Sequence, residues 1–369
     1  YLERIDFKSN DIVLPFDGVG NAKKLISLQL SDTPVKSVDG ISDAVGLIYL
    51  HLTDCNMTGD VPEELFDLPN LQGIFMNYNN FDGTLSTKIG KLAELRELYI
   101  FENELKGSIP TEIGMLTNIY ILGLGENAMT GTLPTQLNLL TNMQILSLQQ
   151  ETGLSTSGLV SIDGELGVGL TGPLLSLDSM TSLRELYLGK NSFEGAIPDN
   201  FLFSVKNLTR TMKVDLTNNN LGGSIPSGLS RFDDLRLFVA GNRIEKVPDE
   251  LCSKHKWMKG LMSSGCDALL CEPGSYGEYG RRTSNTDLCQ PCPFNASTYF
   301  YGSESCVAEA GDDLDERSIL FQLYHALSGN DWKKKDNWLE DNRPICTWHG
   351  VHCATEDDIS GEETVVRLE

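Results

Sequence analysis

Apolar residues recur along most of this chain at a fixed interval. The stretches LIYLHLTDCNMTGDVPEELFDLPN (47–70), LQGIFMNYNNFDGTLSTKIGKLAE (71–94), LRELYIFENELKGSIPTEIGMLTN (95–118) and IYILGLGENAMTGTLPTQLNLLTN (119–142) align without gaps at 24 residues each. Apolar side chains fill repeat positions 1, 4, 6, 11 and 15, with Asn usual at 9, Gly at 13 and Pro frequent at 16. Further copies begin at Leu2, Leu25, Met143, Leu183, Thr211 and Asp234, which makes about ten. Apolar residues two apart share one face of a strand, and the side chains between them take the other. One copy cannot bury its own apolar face, so the pattern predicts stacked coils that bury one another.

The position-9 asparagines form a column, Asn10, Asn79, Asn103, Asn127, Asn191, Asn219 and Asn242, placed to satisfy buried backbone groups of adjacent turns. Cys55 stands in that column and reads as a buried structural thiol rather than a nucleophile. The register breaks after MQILSLQQ, where ETGLSTSGLVSIDGELGVG precedes LTGPL, and a shorter break follows GAIPDNF. Such insertions are either tolerated surface excursions or loops that contact a ligand.

The repeat resembles the leucine-rich repeat, in the 24-residue plant-type form marked by LxGxIP. The resemblance implies an α/β solenoid over 1–251: a curved leucine-rich-repeat solenoid with a parallel β-sheet on its concave face, followed by small disulfide-rich modules. Outward strand positions 2, 3, 5, 7 and 8 then carry Tyr49, His51, Phe75, Tyr78, Tyr99, Phe101, Tyr120 and Tyr187, mixed with Asn77, Arg96, Glu97, Glu102, Arg184 and Glu185. Aromatic residues exposed over adjacent coils make a surface for a protein, peptide or glycan ligand. The alternative is that aromatics suit a flat sheet and are covered by glycans or neighbouring coils.

Eight of the nine cysteines fall between Cys252 and Cys353, a density typical of disulfide-stapled modules in an oxidising compartment. Residues 252–270 resemble the C-terminal cap of leucine-rich-repeat ectodomains, and 271–310 the small CxPGxY…CxxCPxxxxY modules of receptor ectodomains. In 311–369 an amphipathic helical pattern, Trp332, Trp338 and CTWHGVHC resemble the N-terminal cap and first strand of a second leucine-rich-repeat domain. These resemblances imply the pairs Cys252 with Cys266, Cys271 with Cys289, Cys292 with Cys306 and Cys346 with Cys353, connectivity within the middle four staying open. The Cys289–Cys292 CxxC could alternatively hold zinc, but a second ligand pair at comparable spacing is missing. His349 and His352 likewise have no third ligand beside them. On this reading the chain is a middle piece of something longer.

Acidic residues number 52 against 29 basic, a formal charge of −23, which disfavours nucleic acid and anionic lipid as partners. No stretch has the length and apolarity of a membrane span, and residues 1–10 do not read as a signal peptide. Sequons at Asn56, Asn207 and Asn295 join the cysteines in pointing to an extracellular or cell-surface glycoprotein. Catalytic signatures are missing, so no catalytic residue, metal or cofactor is expected. The reading is a non-enzymatic interaction and structural scaffold, in a coat, matrix, adhesin or self-associating fibre. The alternative is the ligand-sensing ectodomain of a leucine-rich-repeat receptor or receptor kinase.

Overall fold

The computed structural model describes residues 2–10, 22–150, 169–254, 266–284, 286–293, 296–308, 351–353 and 365–368. The insertion 151–168, Asn295, Cys346 and the expected helix near 312–329 lie outside them. The chain divides into two compact units, Tyr1–Cys292 with Thr298–Cys306, and Pro293–Ser297 with Val307–Glu369.

In the first unit, ten parallel strands form one sheet in chain order: Arg4–Asp6, Ser27–Gln29, Tyr49–His51, Gly73–Phe75, Glu97–Tyr99, Ile121–Gly123, Ile145–Ser147, Glu185–Tyr187, Met212–Asp215 and Leu235–Phe238. The constant repeat length keeps them in register. Repeat position 5 becomes a row of Cα partners running Asp6, Gln29, His51, Phe75, Tyr99, Gly123, Ser147, Tyr187, Asp215 and Phe238. The insertion before Leu170 leaves this intact, since Leu146 pairs with Leu186. Positions 4 and 6 turn inward: Leu50, Leu52, Ile74, Met76, Leu98, Ile100, Leu122 and Leu124 are each exposed by 1% or less. The return segments carry 3-10 turns such as Glu63–Asp67, Thr111–Met115 and Thr135–Leu139, each preceded by a proline, which is extended at Pro110 and Pro134.

The strands are shorter than the sequence pattern suggests. They occupy about positions 3 to 5, and at position 8 Ser9, Asp32, Asp54, Tyr78, Glu102, Glu126, Lys190 and Asn218 all take a left-handed φ between 52° and 59°. That turn ends the strand and brings the next side chain inward. At Asn103 the side-chain nitrogen donates to Met76 O of the preceding coil at 3.1 Å and to Ile100 O and Phe101 O of its own. Its oxygen accepts from Phe81 N at 3.1 Å. Asn79, Asn127, Asn191, Asn219 and Asn242 repeat the bond to the preceding coil. Asn10 departs from the column: it is exposed, and its amide donates within its own coil, to Phe7 O and Lys8 O. Thr33 and Cys55 substitute for the amide with single donors, Thr33 Oγ1 to Phe7 O at 2.7 Å and Cys55 Sγ to Leu30 O at 3.2 Å.

A second parallel sheet follows the asparagine column, with strands Gly131–Thr132, Leu170–Pro173, Ser192–Ala196, Asn220–Ser224 and Arg243–Lys246. The end of the solenoid is closed by Leu269, Leu270 and Cys271, all buried, and by the backbone of Tyr301 and Gly302. Tyr301 N donates to Ile244 O at 2.9 Å, and Gly241 N to Gly302 O at 3.3 Å. Gly302 has φ 83°, and a Cβ there would stand 2.6 Å from Leu270 Cδ2. Disulfides join Cys252 to Cys266, Cys271 to Cys289 and Cys292 to Cys306. Cys289 and Cys292 therefore point to different partners and form no CxxC pair. In the second unit, Val351–Cys353 pairs antiparallel with Val365–Leu368.

Candidate ligand-binding surface

The position-5 row turns the aromatic residues of successive coils into a ladder. The His51 and Phe75 rings lie 4.3 Å apart and 5° from parallel, and Phe75 and Tyr99 follow at 5.2 Å and 16°. Phe101 meets Tyr99 edge-on at 6.2 Å and Tyr78 edge-on at 5.4 Å. The strand spacing of about 4.8 Å sets this, because it falls in the range at which offset rings attract. Tyr49 leans over the neighbouring strand at Gly73, where a Cβ would stand 2.8 Å from Tyr49 Cδ1 and 2.9 Å from Phe75 Cε2. Glycine at 73 thus makes room for two rings. Tyr49 and Tyr78 are exposed, and His51, Phe75, Tyr99, Phe101, Tyr120 and Tyr187 are half-buried.

Acidic neighbours fix two phenols. Tyr120 Oη donates to Glu97, which pushes the Tyr120 pKa up to about 12. Tyr187 Oη donates to Glu185 at 2.7 Å, and burial followed by this bond raises its pKa as well. Both remain neutral donors at physiological pH. Burial lowers the His51 pKa against the opposing pull of Glu97 and Asp6, so its ring stacks on Phe75 in the uncharged form.

Beyond Gly123 and Ser147 the row changes character. Lys213 Nζ sits 4.5 Å from the Tyr187 ring centre and 6.0 Å from that of Phe238, and Arg281 Cζ lies 5.1 Å from Phe238. Lys213, Arg236, Phe238 and Arg281 escaped the sequence reading. Phe238 stands at position 5 of the last repeat, a signal that was available. Arg281 comes from the cysteine-rich segment, and no repeat register could place it.

Asn56 is exposed with φ 58°. Asn207 is exposed too, its amide oxygen accepting from Thr209 Oγ1 and Arg210 N at 3.2 Å each. Cys55 is fully buried. Among the described residues, no group of three or more His, Cys, Asp or Glu is placed to hold a metal, and no helix is long and apolar enough to cross a membrane.

The Leucine Rich Repeat family model matches residues 182–203 and 211–232. No curated protein matches the sequence. Among solved structures, the ectodomain of the Arabidopsis thaliana membrane receptor kinase GASSHO1/SCHENGEN3, in complex with CASPARIAN STRIP INTEGRITY FACTOR 2, is 26% identical with a TM-score of 0.56, covering 69% of this chain and 32% of that one. The plant peptide hormone receptor RGFR1, in complex with RGF2, is 25% identical with a TM-score of 0.56, covering 69% of this chain and 42% of that one. A leucine-rich-repeat protein of Leptospira interrogans is 26% identical with a TM-score of 0.53, covering 68% and 57%. The chain thus spans less than two thirds of the length of these proteins. A chain built of 24-residue coils tied by a column of asparagine amides, and similar in structure to those proteins, has the fold of a leucine-rich-repeat solenoid.

Proposed function

We propose that this chain is a ligand-binding part of an extracellular leucine-rich-repeat protein, and that a peptide or protein segment lies along its concave face as in a receptor ectodomain. The observation that carries this reading is the ladder from His51 through Phe75 to Tyr99, flanked by Tyr49, Tyr78 and Phe101. Aromatic area on a rigid sheet supplies binding energy at little entropic cost. The ladder also separates peptide from glycan. Sugars stack on open ring faces, but the faces of Phe75 are covered by His51 and Tyr99. What remains are ring edges and the hydroxyls of Tyr49, Tyr78 and Tyr99, which suit apolar side chains and peptide carbonyls.

The three disulfides fit an oxidising, extracellular setting, and the acidic surface disfavours nucleic acid. Asn56 and Asn207 are proposed as glycan carriers, checked by a mass decrease on amidase treatment of the native protein. The coat or fibre reading leans on a second capped unit at 311–369, most of which lies outside the described residues; the receptor-like reading has the better support.

The test is selection from a random dodecapeptide library displayed on phage, against the wild-type chain and the Phe75→Ala/Tyr99→Ala variant. Peptides enriched on the wild type alone support the reading. Enrichment of the same peptides on both chains, or none on the wild type, contradicts it.

A further inference from the structure

The concave face ends in positive charge although the chain as a whole carries −23. Lys213 and Arg236 are Cα partners on adjacent strands, and Arg281 reaches the same Phe238 ring from the cysteine-rich segment. All three are half-buried. Among the described residues, none of the three has a carboxylate within 4.0 Å. Glu185 and Asp215, the acids of the two neighbouring strands, are already engaged. Glu185 accepts from Tyr187 and lies 3.8 Å from Arg184 Nε, and Asp215 accepts from Thr217 N and Oγ1. Arg236 Nε is buried without a hydrogen-bond partner. Burial lowers the pKa of Arg281 against the opposing pull of Asp287.

We infer that the surface around Phe238 is an anion subsite that takes acidic side chains of a bound polypeptide. The inference rests on the peptide-binding reading above and adds which end of the groove receives the acidic part of the partner. Half-buried cations that rest on ring faces with no carboxylate in direct contact have lost water for a modest cation–π gain, and a carboxylate brought among them adds the charge-assisted hydrogen bonds they lack. Acidic surface elsewhere repels such a partner, so the cationic end confines it. Lys213 and Arg281 already occupy ring faces of Tyr187 and Phe238 that a sugar would stack on, which favours a polypeptide over an acidic polysaccharide. Six strand steps separate Phe75 from Phe238. At about 4.8 Å each they span roughly 29 Å, the length of about nine extended residues. The ligand is thus a short extended segment, apolar where it meets Phe75 and acidic where it meets Phe238.

The probe is fluorescein-labelled hexaglutamate, titrated against the full chain at low salt by fluorescence anisotropy. Saturable binding is expected, weakened at least about tenfold by Lys213→Gln with Arg236→Gln and unchanged by Met115→Ser, on an exposed turn outside the sheet. Arg281→Gln, contributed from outside the sheet, is the second variant and weakens binding in the same direction. Absence of binding overturns the inference, as does equal binding to the variants. A labelled heparin fragment that binds through these cations when hexaglutamate does not also overturns it, in favour of a polysaccharide. Failure of the peptide-binding reading is distinguishable: peptides selected on the wild type then ignore Phe75→Ala, whatever hexaglutamate does.

Discussion

The ring of His51 lies flat on the ring of Phe75, 4.3 Å away and 5° from parallel. The two residues are 24 positions apart in sequence and Cα partners in the sheet. A double-mutant cycle with His51→Ala and Phe75→Ala should return a coupling of about 0.5–1.5 kcal/mol, the range of aromatic pairs. A coupling near zero denies the stack any energetic role.

The same histidine makes stability depend on pH. Burial lowers its folded pKa beneath 6.5, so the unfolded chain binds the proton first as pH falls. Its contribution is therefore complete above about 6.5 and declines below it. Denaturant midpoints for wild type and His51→Gln should diverge less at pH 5 than at pH 7.5. A constant gap contradicts the assignment.

Asn103 is the part of the scaffold whose loss should cost most for its size. Replacing it with Ala strands Phe81 N, held by the amide oxygen, at about 1–3 kcal/mol for a buried group, while Met76 O keeps the bond from Asn79. Chemical denaturation of Asn103→Ala should therefore show a loss of about 1–3 kcal/mol. The exposed Asn10, whose side-chain amide bonds within its own coil, should change stability by less than about 1 kcal/mol when replaced by Ala.

Cys55 tests the buried end of the same column. Its thiol is fully buried and burial pushes its pKa up to about 11, so in the native protein at pH 8 it should resist alkylation that goes to completion in denaturant. The sign for stability follows: the folded state favours the neutral thiol, so this contribution is present below about pH 9 and is lost as pH rises through 11. Rapid native alkylation contradicts the burial.

Gly73 separates the surface from the core. A side chain there collides with Tyr49 and Phe75 rather than with buried leucines. Gly73→Val should displace both rings and weaken selected peptides about tenfold or more, and should leave the far-ultraviolet circular dichroism spectrum unchanged. Undiminished binding places the ligand elsewhere.

Most of the solenoid is legible in the sequence because one physical rule, an apolar face that only the next coil can bury, is written out about ten times. Leu50 and Leu52, or Leu98 and Ile100, announce themselves by spacing alone. The second sheet, which includes Ser192–Ala196 and Asn220–Ser224, is hidden. Its strands run through glycines such as Gly195 and Gly223 at positive φ, which propensity counts against strands. Position 8 misleads for a related reason, since Tyr78 and Glu102 look like strand residues and are left-handed turns. The aromatic half of the candidate surface follows from register. The cationic half does not, because Arg281 arrives through a disulfide-bonded segment that obeys no repeat.

A peptide held on the aromatic row of the concave face is best detected by calorimetric titration of a peptide selected on the wild type into wild type, Phe75→Ala and Met115→Ser. Met115 is 60% exposed on a 3-10 turn outside the sheet and serves as the control. Phe75→Ala should raise Kd at least about tenfold, and Met115→Ser should leave Kd unchanged. Equal affinity of wild type and Phe75→Ala, or a loss at Met115 instead, contradicts binding on this row.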